Sequence, residues 1–151
     1  MEHNTMPKEL LNDVAWSFAQ KRFGSLPEFA EALAEYNAEI FEKPFIDVWT
    51  NKLQLVGNRI LIQYEYWDDE EEDIIEEQIM LQADNNKYFT TAELLYKVHN
   101  EVHDKLEGDD HIFFEGLELF DNESEEYPGI PYYFIFQIGR ASCRERVYVL
   151  V

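Results

Sequence analysis

The chain has 151 residues, 46% of them hydrophobic and 15% aromatic, enough to bury a core of its own and too apolar for a disordered segment. Its 32 acidic residues outnumber 12 basic ones, for a formal charge of −20. Such a field repels phosphates and argues against a nucleic-acid partner. Neither a basic, apolar leader nor an apolar run near the ~18 residues of a membrane span is present, so the sequence predicts a soluble domain.

Residues 1–6 read as a frayed end. Pro7 suits a first helical turn, and Leu11, Val14, Ala15 and Phe18 then recur at helical spacing, with Lys21 and Arg22 in the last turn and Gly24 after it. Ser25 and Glu28 have capping-box spacing, followed by a second stripe of Leu26, Phe29, Ala30, Leu33, Tyr36 or Asn37, and Ile40. The short link at Phe23-Gly24-Ser25 predicts that these segments form an N-terminal helical hairpin. Pro44 ends the helical region; residues 45–49 and 53–56 are β-prone, and Gly57-Asn58 suits a two-residue hairpin turn.

Residues 59–67, RILIQYEYW, alternate. Ile60, Ile62, Tyr64 and Tyr66 share one face, and Arg59, Gln63 and Glu65 the other, the pattern of a half-buried strand. Six acids follow in a row, Asp68, Asp69, Glu70, Glu71, Glu72 and Asp73, before residues 74–82 resume as a strand. The acidic loop lacks the glycine and ligand spacing of an EF-hand, so a solvated turn between two strands is expected, or an anionic surface that meets a basic partner.

Residues 88–120 carry the best-marked helix. Thr90 and Glu93 have the spacing of a capping box, and Phe89 and Leu94 that of a hydrophobic staple. Leu95, Val98, Val102 and Leu106 form one stripe, and Gly108 stands where a C-terminal cap belongs, giving a helix over about 90–107 that covers a sheet. His99 and His103 lie four apart on the rim of that stripe, a spacing that helical zinc sites use. The order is H-x-E-x-H rather than H-E-x-x-H, so Glu101 points elsewhere, and the plainer reading is two boundary histidines, with His111 an unsupported third ligand. Ile112, Phe114 and Phe120 on one parity and Phe113, Leu117 and Leu119 on the other suit a strand covered on both faces, in which Gly116 marks a bulge or a close approach.

A second acidic loop, with Asp121, Glu123, Glu125 and Glu126, precedes Pro128, Gly129 and Pro131. Residues 132–137, YYFIFQ, then read as an interior strand. The ten residues that follow, IGRASCRERV, resemble the conceptual translation of a short-read sequencing adapter. On that resemblance residues 1–137 are one native acidic α+β domain and residues 138–151 a non-native read-through, with the last native strand truncated. Leaving out Arg140, Arg144, Arg146 and Glu145 takes the formal charge from −20 to −22 and removes Cys143, the sole cysteine. A chain without thiol chemistry fits the cytoplasm.

The expected fold is therefore α+β: a helical hairpin, an antiparallel sheet of about five strands, and one helix packed on it. No G-x-S-x-G, G-x-G-x-x-G or P-loop occurs, and carboxylates are too many for spacing to single out a catalytic pair, so the sequence leans away from an enzyme and implies no cofactor. Its function points to an acidic protein-interaction module that blocks a basic protein partner, such as an immunity protein against a nuclease toxin or a nucleic-acid mimic. The expected surface comprises Glu65, Trp67, Asp68, Asp69, Glu70, Glu71, Glu72, Asp73, Glu76 and Glu77 with Asp121, Glu123, Glu125 and Glu126. Tyr64, Tyr66 and Trp67 are candidate anchors, the first two better suited to the core. The alternatives are a structural or regulatory domain whose acidity serves solubility, and a metal-binding protein using His99 and His103.

Overall fold

The structure, a computed structural model, describes residues 6–18, 20–68, 70–106 and 113–138. Asp69, Gly108, His111, Ile112, the side chain of Leu106 and residues 139–151 of the adapter-like tail lie outside them. Among the described residues the elements run β1 (Glu9–Leu10), β2 (Trp16–Ser17), α1 (Leu26–Phe41), α2 (Thr50–Val56), β3 (Arg59–Asp68), β4 (Asp73–Gln82), α3 (Thr91–Leu106), β5 (Phe113–Leu119) and β6 (Tyr132–Ile138). The fold is α+β, as expected.

The strands form one sheet in the order β1-β5-β6-β3-β4, with β2 also pairing β5. All pairings are antiparallel except β3 with β6, where Leu61 lies opposite Tyr132. The sheet is thus mixed, not wholly antiparallel, and the cause is topological. Helix α3 carries the chain from β4 to β5, so those two strands run the same way. Strand β6 returns beside β5 and enters the gap next to β3, which it must then parallel. Its expected interior position holds: Tyr133 and Ile135 are buried there.

Side chains of α1 (Phe29, Leu33) and α3 (Leu94, Leu95, Val98, Val102) share one core with Ile60, Ile62, Tyr64, Phe114, Leu117, Tyr133 and Ile135. The Ser25 cap on α1 is present, its Oγ accepting from the Glu28 N–H at 3.3 Å. On α3 only half of the expected capping box forms. Thr90 Oγ1 accepts from the Glu93 N–H at 3.1 Å, whereas the Glu93 carboxylate accepts from the Asp84 N–H at 2.7 Å and pairs with Lys97. The cap therefore ties the helix to the end of β4 instead of back on itself.

Two further expectations are corrected. The first helix of the hairpin does not form: two short strands, residues 9–10 and 16–17, lie along β5 with a turn between them, Leu10 opposite Leu117 and Trp16 opposite Phe114. Val14, Trp16 and Phe18 are all buried, a period-two pattern of β-favouring residues that coexists with the helical one in this stretch. Asn12-Asp13 make the turn between β1 and β2, with Leu11 at φ 59° and the Val14 N–H donating to the Leu11 carbonyl. Of the two β-prone stretches, residues 45–49 form no strand and residues 53–56 belong to helix α2, because Trp49, Leu53 and Val56 fall on one helical stripe and are all buried. Gly57, at φ 96°, then ends α2 and is not a hairpin turn.

Strand β5 carries apolar residues on both parities for a local reason. The register shifts between Phe114 and Leu117, so both residues point into the same core despite their odd spacing. Gly116 lies in that bulge at φ 112°, with Asn12 of the β1–β2 turn folded over it so closely that a Cβ would stand 2.7 Å from Asn12 Cα.

Candidate partner-binding face

The hairpin of β3 and β4 keeps one register throughout its length, which sets out its two faces pair by pair. On the face turned from the core, Trp67 lies opposite Ile74, Glu65 opposite Glu76, Gln63 opposite Gln78 and Leu61 opposite Met80. Trp67 is half-buried, Leu61 is buried, and Ile74 and Met80 are 49% and 42% exposed. The Tyr132 hydroxyl joins the middle of this ladder: it donates to Gln63 Oε1 and accepts from Gln78 Nε2, each at 2.7 Å. Phe120 stacks on Tyr132, with ring centroids 4.2 Å apart, so the aromatic surface continues on to β6.

Glu65 and Glu76 face each other across the two strands and their carboxyl groups hydrogen-bond. Partial burial, then the Glu76 charge and that hydrogen bond, raise the Glu65 pKa above the ordinary carboxyl range. With both carboxyls ionised that hydrogen bond is lost and directly opposed like charges destabilise a sheet, so the ionised pair is a local cost that a cation placed over it would relieve.

The acidic turn beyond them is tightly built. The Glu72 N–H donates to the Asp68 carbonyl at 2.7 Å with Glu72 at φ 54°, and the Asp68 side chain accepts from the Glu70 N–H at 2.9 Å. The carboxylates of Glu70, Glu71, Glu72 and Asp73 are exposed, and among the described residues none of them meets a cation. Glu65, Trp67, Asp68, Glu70, Glu71, Glu72, Asp73 and Glu76 thus gather at one end of the hairpin, where Asp69 falls outside the described residues.

The remaining expected residues lie elsewhere. Glu77 is on the core-side face, where it accepts from the hydroxyls of Tyr64 and Tyr66 at 3.0 and 3.3 Å and lies 3.6 Å from Lys105 Nζ. Tyr64 is buried, and burial with the Glu77 charge holds its phenol protonated far above the ordinary range. The loop with Asp121, Glu123, Glu125 and Glu126 follows β5, whose Leu119 is level with Tyr133 and Ile62. Asp68 stands six residues farther up β3, roughly 20 Å away at ~3.3 Å per residue. That offset along the sheet exceeds the ~8 Å screening length of physiological salt, so the end of β5 lies beyond the electrostatic reach of the acidic turn. Ile74, Gln78 and Met80 were missed in the sequence, although the alternation from Trp67 through a symmetric hairpin would have placed them on this face.

His99 is not on the rim. It is fully buried among Trp16, Phe18, Phe23 and Phe29, because the extended N-terminal segment closes over α3. Its Nδ1 accepts from Trp16 Nε1 at 3.1 Å and its Nε2 donates to the Lys21 carbonyl at 2.7 Å. Both ring nitrogens are taken, which leaves none for a metal, and His103 alone keeps the boundary position. Among the described residues no three His, Cys, Asp or Glu side chains converge as a metal would require, and no helix is long and apolar enough to cross a membrane.

Comparison with known proteins finds no family, no curated protein and no solved structure that matches this chain.

Proposed function

We propose that this protein is an interaction module that binds and blocks a basic protein through the outer face of the β3–β4 hairpin, in the manner of an immunity or inhibitor protein. One observation carries the reading: Trp67 and Ile74 form an apolar pair framed by Glu65, Asp68, Glu76 and the carboxylates of Glu70, Glu71, Glu72 and Asp73, which meet no cation among the described residues. An aromatic anchor inside a charged rim is the arrangement that concentrates binding energy in protein interfaces. The surrounding negative field raises the encounter rate with a positive surface and rejects a negative one.

The test is titration against purified basic proteins of isoelectric point above about 9, nucleases among them. Binding should weaken steeply between ~20 and ~300 mM salt. Trp67→Ala should cost at least ~2 kcal/mol of affinity, and Glu71→Lys with Glu76→Lys should slow association about tenfold or more. A protein that ignores every basic partner at low salt, or binds one indifferently to these substitutions, would sink the proposal.

A further inference from the structure

Strand β4 is ten residues long, lies at the edge of the sheet, and pairs with β3 without a bulge from Asp73 to Gln82. Among the described residues no strand pairs with its outer side. The hydrogen bond from the Ala83 N–H to the Asn58 carbonyl, at 2.8 Å, fixes the phase of the ladder. Residues 73, 75, 77, 79 and 81 therefore turn their N–H and C=O groups toward β3. Ile74, Glu76, Gln78, Met80 and Gln82 turn theirs outward, and all five are exposed. The Ile74 N–H donates to Asp73 Oδ1 at 2.7 Å and the Gln82 carbonyl accepts from Lys97 Nζ, so the open part of the edge centres on Glu76, Gln78 and Met80.

Sheet edges of this length are usually blunted by lysine, proline, a bulge or a short strand. The stretch DIIEEQIMLQ has none of these. Among the described residues Lys97 caps the edge at its end, where its Nζ donates to the Gln82 carbonyl. The rest is guarded by the carboxylates of Asp73 and Glu76, by Glu77 on the core-side face, and by those of the acidic turn at its start. Such a guard depends on sign. A second copy of β4 would bring the same charges against themselves and be repelled, whereas an extended segment rich in lysine or arginine would be drawn in.

We propose that the outer edge of β4 accepts an extended basic segment of the partner protein as an added strand. This deepens the functional reading above and rests on it. Cross-strand pairing then dictates the segment's pattern. Residues opposite Glu76 and Glu77 are basic, those opposite Ile74 and Ile75 and opposite Ile79 and Met80 are apolar, and the one opposite Gln78 is polar. In antiparallel addition the order is two apolar, one polar, two basic, two apolar; parallel addition reverses it.

The probe is a fluorescent peptide, Val-Val-Gln-Lys-Lys-Val-Val, with its reversed and scrambled sequences, and a form N-methylated at alternate residues that keeps every charge and side chain. One of the two ordered peptides should bind at low salt. It should lose at least tenfold on scrambling and on N-methylation in the phase that faces β4. Met80→Pro removes only an outward N–H and should cause a similar loss, with circular dichroism and a thermal melt showing that the hairpin is intact. If methylated and scrambled peptides bind as well as the ordered one, strand addition is wrong while the electrostatic reading stands. If neither the lysine peptides nor the basic proteins bind, both fall.

Discussion

Burial of a histidine with both ring nitrogens bonded fixes its charge as well as its position. His99 is neutral in the fold: burial, with His103 and Arg22 nearby, lowers its pKa to about 4, against the opposing pull of the Lys21 carbonyl. In the unfolded chain it titrates near ~6.5. Between those values the unfolded state binds more protons, so His99's contribution is whole above about pH 6.5, falls as the pH drops, and stops falling below about 4. The full difference is roughly 3 kcal/mol. Urea unfolding at pH 7, 6 and 5 should show wild type losing stability faster than His99→Phe, which has no such proton to bind. The variant will be weaker at pH 7, since Trp16 Nε1 and the Lys21 carbonyl lose their partner. Parallel curves would show that His99 is not the titrating group. None of this was legible in the i, i+4 spacing of His99 and His103, because what surrounds His99 comes from a segment about eighty residues away.

At the level of elements, the readable parts were those whose signals were local and agreed with each other. Helices α1 and α3 carry a cap and a stripe that point the same way, and the β3–β4 hairpin carries alternation on both sides of a polar turn. The unreadable parts depended on a partner. Residues 9–17 satisfy helical and extended periodicities alike, and the choice is made by the open side of β5. Asn37 helps to hold that choice. Buried on α1, its side chain accepts from the Ala15 N–H at 2.7 Å and donates to the Ala15 carbonyl at 2.9 Å, serving the backbone of the extended segment. Gly116 is where the two pieces meet, and it separates two costs. Gly57 and Gly116 both have positive φ, but only Gly116 has a neighbour in the way of a Cβ. Gly57→Ala should therefore cost about 1 kcal/mol of backbone strain, and Gly116→Ala should cost clearly more, about 3 kcal/mol, through displacement of Asn12. Equal losses in chemical denaturation would mean that the β1–β2 turn does not rest on the bulge as described.

Across the whole molecule the acidity has two consequences that salt moves in opposite directions. With a formal charge of −20, the folded chain holds its carboxylates closer together than the unfolded chain does, so self-repulsion lowers its stability. The opposed Glu65–Glu76 pair and the turn at residues 70–73, which meets no cation among the described residues, concentrate that effect at one end of the β3–β4 hairpin. Raising the ionic strength from ~0.01 to ~0.1 M shortens the screening length from about 30 to about 10 Å. The melting temperature should then rise by a few degrees, and Glu76→Gln should give part of that rise at low salt. If the carboxylates served solubility alone, salt would stabilise the fold and nothing more would change with it. If they face a cationic partner, the salt that stabilises the fold weakens the complex, and Glu76→Gln stabilises the protein while loosening its hold. Melting curves and titrations measured on the same samples at the same salt concentrations distinguish the two, because a complex whose affinity does not fall as the melting temperature climbs would remove electrostatic recognition as the reason for the charge.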